Sequence, residues 1–158
     1  MISPLLDSLL DPKHVVLDLR SGTAGEAVWE IVERLRESGE LRKAEGFFSA
    51  VMEREKKSST VANGGVAFPH ARTELVEELL LGIGRSAAGV SFGDPKNPVH
   101  LIFVIAVPQQ MVNDYLICVG SLARLLNDEK RRAGLMEAST PGEFFDRLRD
   151  EDGLVRVG

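Results

Sequence analysis

The run Val99-His100-Leu101-Ile102-Phe103-Val104-Ile105-Ala106-Val107 constrains this chain more than any other segment. It is far shorter than the roughly 20 apolar residues needed to cross a bilayer. It reads as a β-strand with almost no polar alternation, and a strand without a wet face needs cover on both sides. A layered α/β domain with this strand near the middle of its sheet meets that need.

The rest of the chain supplies the layers. Ala24, Ala27, Val28, Ile31, Val32 and Leu35 recur at helical spacing and predict a helix over 22–38, opened by Ser21 or Thr23 and closed by Gly39. Phe47, Phe48, Val51 and Met52 mark a second helix over 43–57. Further helices are expected at 111–126, 128–138 and 141–150, the last with Thr140 as cap and Pro141 behind it. Short strands are expected at Val66–Phe68, Leu79–Ile83 and Val90–Phe92. Helix pair, strands, then helices implies one α/β domain over residues 1–158 with a mixed sheet.

Charge and cysteine content narrow the function. A net charge of −5 runs against nucleic-acid binding, which needs a basic stripe to displace counterions. The one basic cluster, Lys130-Arg131-Arg132, lies among Asp128, Glu129 and Glu137 and reads as a solvated helix face. The single cysteine, Cys118, excludes an internal disulfide and a cysteine-based zinc site. The first residues carry Asp7 and Asp11 rather than a basic leader, so a cytoplasmic location with no membrane insertion is expected. The pair Gly82-Ile83-Gly84 lacks the third glycine of a dinucleotide fingerprint, Ala87 standing there, and reads as a strand end.

The histidines carry the remaining chemistry. His14 and His100 sit in settings that suit structural roles, and no pair among the three has metal-ligand spacing. No metal or cofactor is expected. His70 differs: Pro69 fixes its own φ and pushes Phe68 into an extended conformation, and Gly64-Gly65 permit a tight turn upstream. Such a histidine is presented rather than packed away. Near it in sequence lie Arg54, Ser59, Thr60, Asn63 and Arg72, which supply hydroxyl, amide and guanidinium donors for phosphoryl oxygens. The chemistry this supports is attack of a neutral imidazole nitrogen on phosphorus. From residue types alone, a Gly-rich loop with an incidental histidine fits equally well.

The combination Arg54-Glu55, Ser59-Thr60, Asn63-Gly64 and Val66-Ala67-Phe68-Pro69-His70-Ala71-Arg72 resembles the active-site segment of fructose/mannitol-type enzyme IIA domains of the bacterial phosphotransferase system. The free-standing nitrogen-related enzyme IIA proteins are the most similar branch, and the resemblance runs from about residue 5 to 150. It includes LLDPKHVVLDL, PVHLIFVIAVP and YLICVGSLARLL. The resemblance implies a mixed five-stranded sheet flanked by helices and a phosphocarrier role. Phosphate would come from the carrier HPr or a paralogue and pass to an enzyme IIB, or serve in regulation. It matches His70 to the phosphorylated histidine, Arg54 to the arginine beside it and Thr60 to the threonine of the same loop. Arg72, Ser59 and Asn63 are then candidate phosphate-binding residues.

One departure stands out. Many relatives place a second histidine where this chain has Tyr115. Val112, Tyr115, Val119, Leu122 and Leu126 share a helical stripe, so Tyr115 is expected to point inward. It is either a tolerated packing substitution or a change to phosphotransfer. Two functions remain open: a transferase that hands phosphate on, and a regulatory module whose phosphorylation state controls a protein partner without a physiological acceptor.

Overall fold

The computed structural model describes residues 2–150. The apolar run forms strand β6 (Val99–Pro108), buried throughout except at His100, which is half-buried. Its side chains alternate between two cores, as the period of two requires. Leu101, Phe103, Ile105 and Val107 face one; Ile102, Val104 and Ala106 face the other. Over the first lie α1 (Pro4–Ser8), α4 (Val112–Leu126), α5 (Glu129–Glu137) and α6 (Pro141–Arg149). Over the second lie α2 (Ala24–Glu37) and α3 (Ala44–Lys57).

The other strands are placed relative to β6. Strand β5 (Leu80–Val90) runs antiparallel along one side, with β1 (Val15–Val16) parallel beyond it. On the other side β3 (Val66–Ala67) and β4 (His70–Thr73) are both parallel to β6, beside Leu101–Ile102 and Ile105–Pro108 respectively. Strand β2 (Val61–Ala62) pairs antiparallel outside β3. Six strands therefore fill five lanes, because β3 and β4 share one. The mixed five-lane sheet between helices agrees with the expected fold. Pro69 causes the break in the shared lane: it has no N–H to donate, although its carbonyl still accepts from Ile105 at 3.0 Å.

All five expected helices form within two residues of their expected bounds. Gly39, at φ +85°, ends α2, and the Thr140 hydroxyl accepts from the Glu143 N–H at 3.1 Å to open α6. The strands differ more. Strand β5 runs unbroken through Gly82 and Gly84, so these are mid-strand residues and no separate strand spans Val90–Phe92. The glycines are there because α2 lies close on the sheet. A Cβ on Gly82 would stand 2.6 Å from Ile31 Cγ2, and one on Gly84 would stand 2.5 Å from Ile31 Cδ1. His70 opens a strand instead of sitting in a loop. The elements α1, β1 and β2 were not expected, since segments this short carry no readable period. The basic cluster is not simply a solvated face either. Arg131 and Arg132 donate to the Leu125 and Leu126 carbonyls at 3.2 and 2.7 Å, closing the C-terminus of α4.

Gly84→Ala should lower stability by about 1–3 kcal/mol, the usual cost of overpacking a filled core. Ile31 is fully buried and has no solvent to retreat into. Gly22→Ala, where an added Cβ meets nothing within 4 Å, serves as the control. Urea unfolding of both variants checks this, and equal midpoints would contradict the close-approach account.

Candidate active site

His70 and Arg72 are two apart on β4 and project to the same side of the sheet, opposite Ile105 and Val107 of β6. Strand β2 ends before this point, so among the described residues no strand pairs with the outer edge of β4. The open edge is flanked by α3 and α4, and together they enclose a cleft of about 560 Å³. Its lining includes Arg54, Lys57 and Arg72 against one carboxylate, Glu53. An acidic chain thus keeps a locally cationic pocket around one histidine.

The imidazole is held in one tautomer. Its Nδ1 lies 2.9 Å from the Phe68 carbonyl oxygen, which can only accept, so Nδ1 carries the hydrogen and Nε2 keeps a lone pair. Burial lowers the His70 pKa below its ordinary 6.5; the Phe68 hydrogen bond opposes that shift and the nearby Arg54 charge adds to it. At neutral pH the ring is a neutral nucleophile.

Tyr115 touches this ring. Its hydroxyl lies 3.2 Å from Nε2 and 3.3 Å from Nδ1, and the two rings stack with centroids 4.7 Å apart at 30°. An oxygen equidistant from both nitrogens of a stacked ring sits over the ring face, outside the plane of the Nε2 lone pair. The phenol therefore covers the imidazole without occupying the line of attack. Tyr115 does point inward, and its pKa is raised by burial, so it stays a neutral hydroxyl.

The other expected residues divide. Arg54 lines the cleft and donates from Nη1 to the Ser58 carbonyl at 2.8 Å, which holds the guanidinium at the end of α3. Arg72 is exposed at the cleft mouth. Thr60 lies behind the histidine: its N–H and hydroxyl both donate to the Glu55 carboxylate, at 2.9 and 2.8 Å, and its oxygen accepts from the Phe68 N–H at 3.2 Å. Ser59 and Asn63 border a different groove that contains His100, not the His70 cleft. The Ser59 hydroxyl accepts from the Val61 N–H at 3.2 Å, a local turn contact. Lys57 and Glu53 in the cleft, and the Glu55 contact, were missed from sequence, because only the α3 face turned toward β4 selects them.

The remaining histidines are bound into the frame. His14 is buried and donates from Nε2 to the Ser38 hydroxyl at 3.2 Å, that hydroxyl being committed to the Leu35 carbonyl. His100 donates from Nδ1 to the Ser86 carbonyl at 2.8 Å.

Fold and site together define a class: a mixed-sheet α/β domain that presents a tautomer-fixed histidine in an arginine-lined cleft at the sheet edge. The chain belongs to the EIIA 2 family of the phosphoenolpyruvate-dependent sugar phosphotransferase system, whose family model matches residues 8–151. It is 30% identical over 148 residues to the fructose-specific EIIABC component of Bacillus subtilis, covering 93% of this chain but only 23% of that longer protein. The nitrogen regulatory protein IIA-Ntr of Neisseria meningitidis superimposes with a TM-score of 0.82 at 31% identity, over 91% of this chain and 99% of that one. The mannitol IIA of Escherichia coli, solved in complex with phosphorylated enzyme IIB, shares the fold at TM-score 0.75 and 23% identity, over 88% of this chain and 96% of that one. No helix among the described residues is long and apolar enough to cross a membrane.

Since burial depresses the His70 pKa, an NMR titration should place its midpoint below 6.5. The unfolded chain then takes up the proton first, so acidification through 6.5 costs the native state stability that is fully present at higher pH. Nucleophilic reactivity should hold from about pH 8 down to that midpoint and fall only below it. A midpoint above 6.5 would show that the Phe68 hydrogen bond, not burial, dominates.

Proposed function

We propose that His70 accepts a phosphoryl group on Nε2 from an HPr-like phosphocarrier protein and passes it to an enzyme IIB, as a cytoplasmic component of a phosphotransferase system. The observation that carries this is the Nδ1–H to Phe68 carbonyl hydrogen bond, which leaves the Nε2 lone pair free in a cationic cleft. The Nε2–P bond forms as the donor's P–N bond breaks, and the donor imidazole leaves with the electron pair. Nδ1 keeps its proton throughout.

Phosphoryl transfer asks the protein for position and positive charge more than for covalent chemistry. Arg54 offers a planar fork already oriented by Ser58, and Arg72 adds a second guanidinium at the mouth. Leu116 and Ile117, 55% and 51% exposed, follow Tyr115 on α4 and give a protein donor or acceptor an apolar surface to dock against. The IIA–IIB complex of the structural relative supports an enzyme IIB as acceptor.

Incubation with enzyme I, HPr and phosphoenolpyruvate, followed by intact-mass measurement, should add one acid-labile phosphoryl group, and His70→Gln should abolish it. Arg54→Ala should slow the transfer by one to two decades, since a charge-assisted donor contributes about 1.5–3 kcal/mol, and lysine should rescue only part. A His70→Gln variant phosphorylated as fast as the parent would overturn the assignment.

Tyr115→His should lengthen the lifetime of the phosphorylated form and add a pH dependence between about pH 6 and 8, because a second titrating imidazole then meets the arriving dianion. The Tyr115 hydroxyl lies within 3.3 Å of both ring nitrogens; the shorter histidine acts in this way provided α4 places its ring within hydrogen-bond distance. Equal lifetimes for parent and variant across that range would reduce Tyr115 to packing.

A further inference from the structure

The Glu55 carboxylate spends its hydrogen bonds on Thr60 rather than on the imidazole, yet it stands at the head of a chain that ends there. Glu55 Oε2 accepts the Thr60 N–H at 2.9 Å and Oε1 accepts the Thr60 hydroxyl hydrogen at 2.8 Å. A hydroxyl has one hydrogen, so with that hydrogen committed the Thr60 oxygen is left as an acceptor only. It takes the Phe68 N–H at 3.2 Å, and the Thr60 carbonyl takes the same N–H at 3.4 Å. The Phe68 carbonyl in turn receives His70 Nδ1–H at 2.9 Å. Beyond Phe68 the backbone is fixed by the Pro69 ring and by the bond from the Ile105 N–H to the Pro69 carbonyl at 3.0 Å. The Phe68 residue is therefore gripped on both sides, and the side not held by the sheet is held through Thr60 by Glu55.

We propose that Glu55 is a positioning residue for His70: through Thr60 it holds the Phe68 backbone where its carbonyl meets Nδ1–H, and so keeps the tautomer that exposes Nε2. This rests on the phosphoryl-acceptor reading of His70. A carboxylate can only accept, so the Thr60 hydroxyl must donate to Glu55 and turn its oxygen to the Phe68 N–H, which anchors the residue whose carbonyl receives Nδ1–H. An amide at the same place offers one acceptor oxygen where Thr60 presents two donors, so one of these bonds is lost and the hold on Phe68 loosens. Thr60 is then a link in this relay rather than a ligand of the phosphoryl group.

The test uses the full chain labelled with 15N at histidine, read by long-range 1H–15N NMR at neutral pH alongside timed phosphorylation by enzyme I, HPr and phosphoenolpyruvate. In the parent, His70 Nδ1 should read as protonated and Nε2 as unprotonated. In Glu55→Gln the two His70 resonances should move toward each other as tautomers mix, while those of His14 and His100 stay in place and report an intact fold. Phosphorylation should slow about tenfold, the order expected for one lost charge-assisted hydrogen bond. Thr60→Val should do the same, Thr60→Ser should keep the parent tautomer, and the double variant should be no worse than either single change. Unmoved His70 nitrogens in Glu55→Gln, or rate losses that add in full, would overturn the proposal and leave Glu55 a through-space charge. If the parent takes up no phosphoryl group while the tautomer still shifts, the acceptor reading fails and the positioning role stands.

Discussion

Burial of β6 on both faces is the constraint to which the other elements answer. Its odd-numbered side chains from Leu101 to Val107 and its even-numbered ones from Ile102 to Ala106 need separate apolar cover. Helices on both faces of the sheet follow from that requirement, and so do strands on both edges of β6 to satisfy its backbone. The closeness of α2 is set by the same surface. Small residues at 82, 84 and 106 lower that face of the sheet, and Ile31 settles into the hollow above the glycines.

The candidate site exists because one lane of this sheet is interrupted. Pro69 removes a donor between β3 and β4, and the short β2 covers only β3. The Phe68 carbonyl points to the outer edge, beyond the reach of β2, and is available to His70 Nδ1. The edge left open beside β4 becomes the cleft, with α3 bringing arginine and lysine and α4 bringing the tyrosine.

Electrostatically the cleft opposes the chain around it. The protein carries a net charge of −5, yet Arg54, Lys57 and Arg72 line the His70 cleft with one carboxylate, Glu53, in that lining. Burial, with the Arg54 charge adding to it, keeps the imidazole neutral, and under the proposed function the same cations would meet an incoming phosphoryl group. Tyr115 leaves this balance undisturbed, since a half-buried phenol adds a hydrogen-bonding group without adding charge.

The amino-acid sequence by itself determined the layered α/β class, five helices and the central strand, because each rests on a local period or cap that neighbours in sequence display. Ala24 to Leu35, Thr140-Pro141 and the run of Leu101 to Val107 are of this kind. It also made His70 a candidate, through Pro69 and the cluster of phosphoryl-binding side chain types nearby, and the family resemblance chose that reading over an incidental histidine. Only the tertiary structure decided which of those types meet. Arg54 and Arg72 reach the cleft, Thr60 stands behind the histidine, and Ser59 and Asn63 turn to another groove. Nearness in sequence does not separate these cases, because the turn at Gly64-Gly65 and the break at Pro69 send adjacent residues to opposite sides. Glycines 82 and 84 carry the same lesson: their lack of side chains was plain, but the reason lies in α2, some fifty residues earlier. A contact between distant elements leaves no period behind, so the reach of Tyr115 to His70 and the bond from Glu55 to Thr60 belong to the folded chain alone.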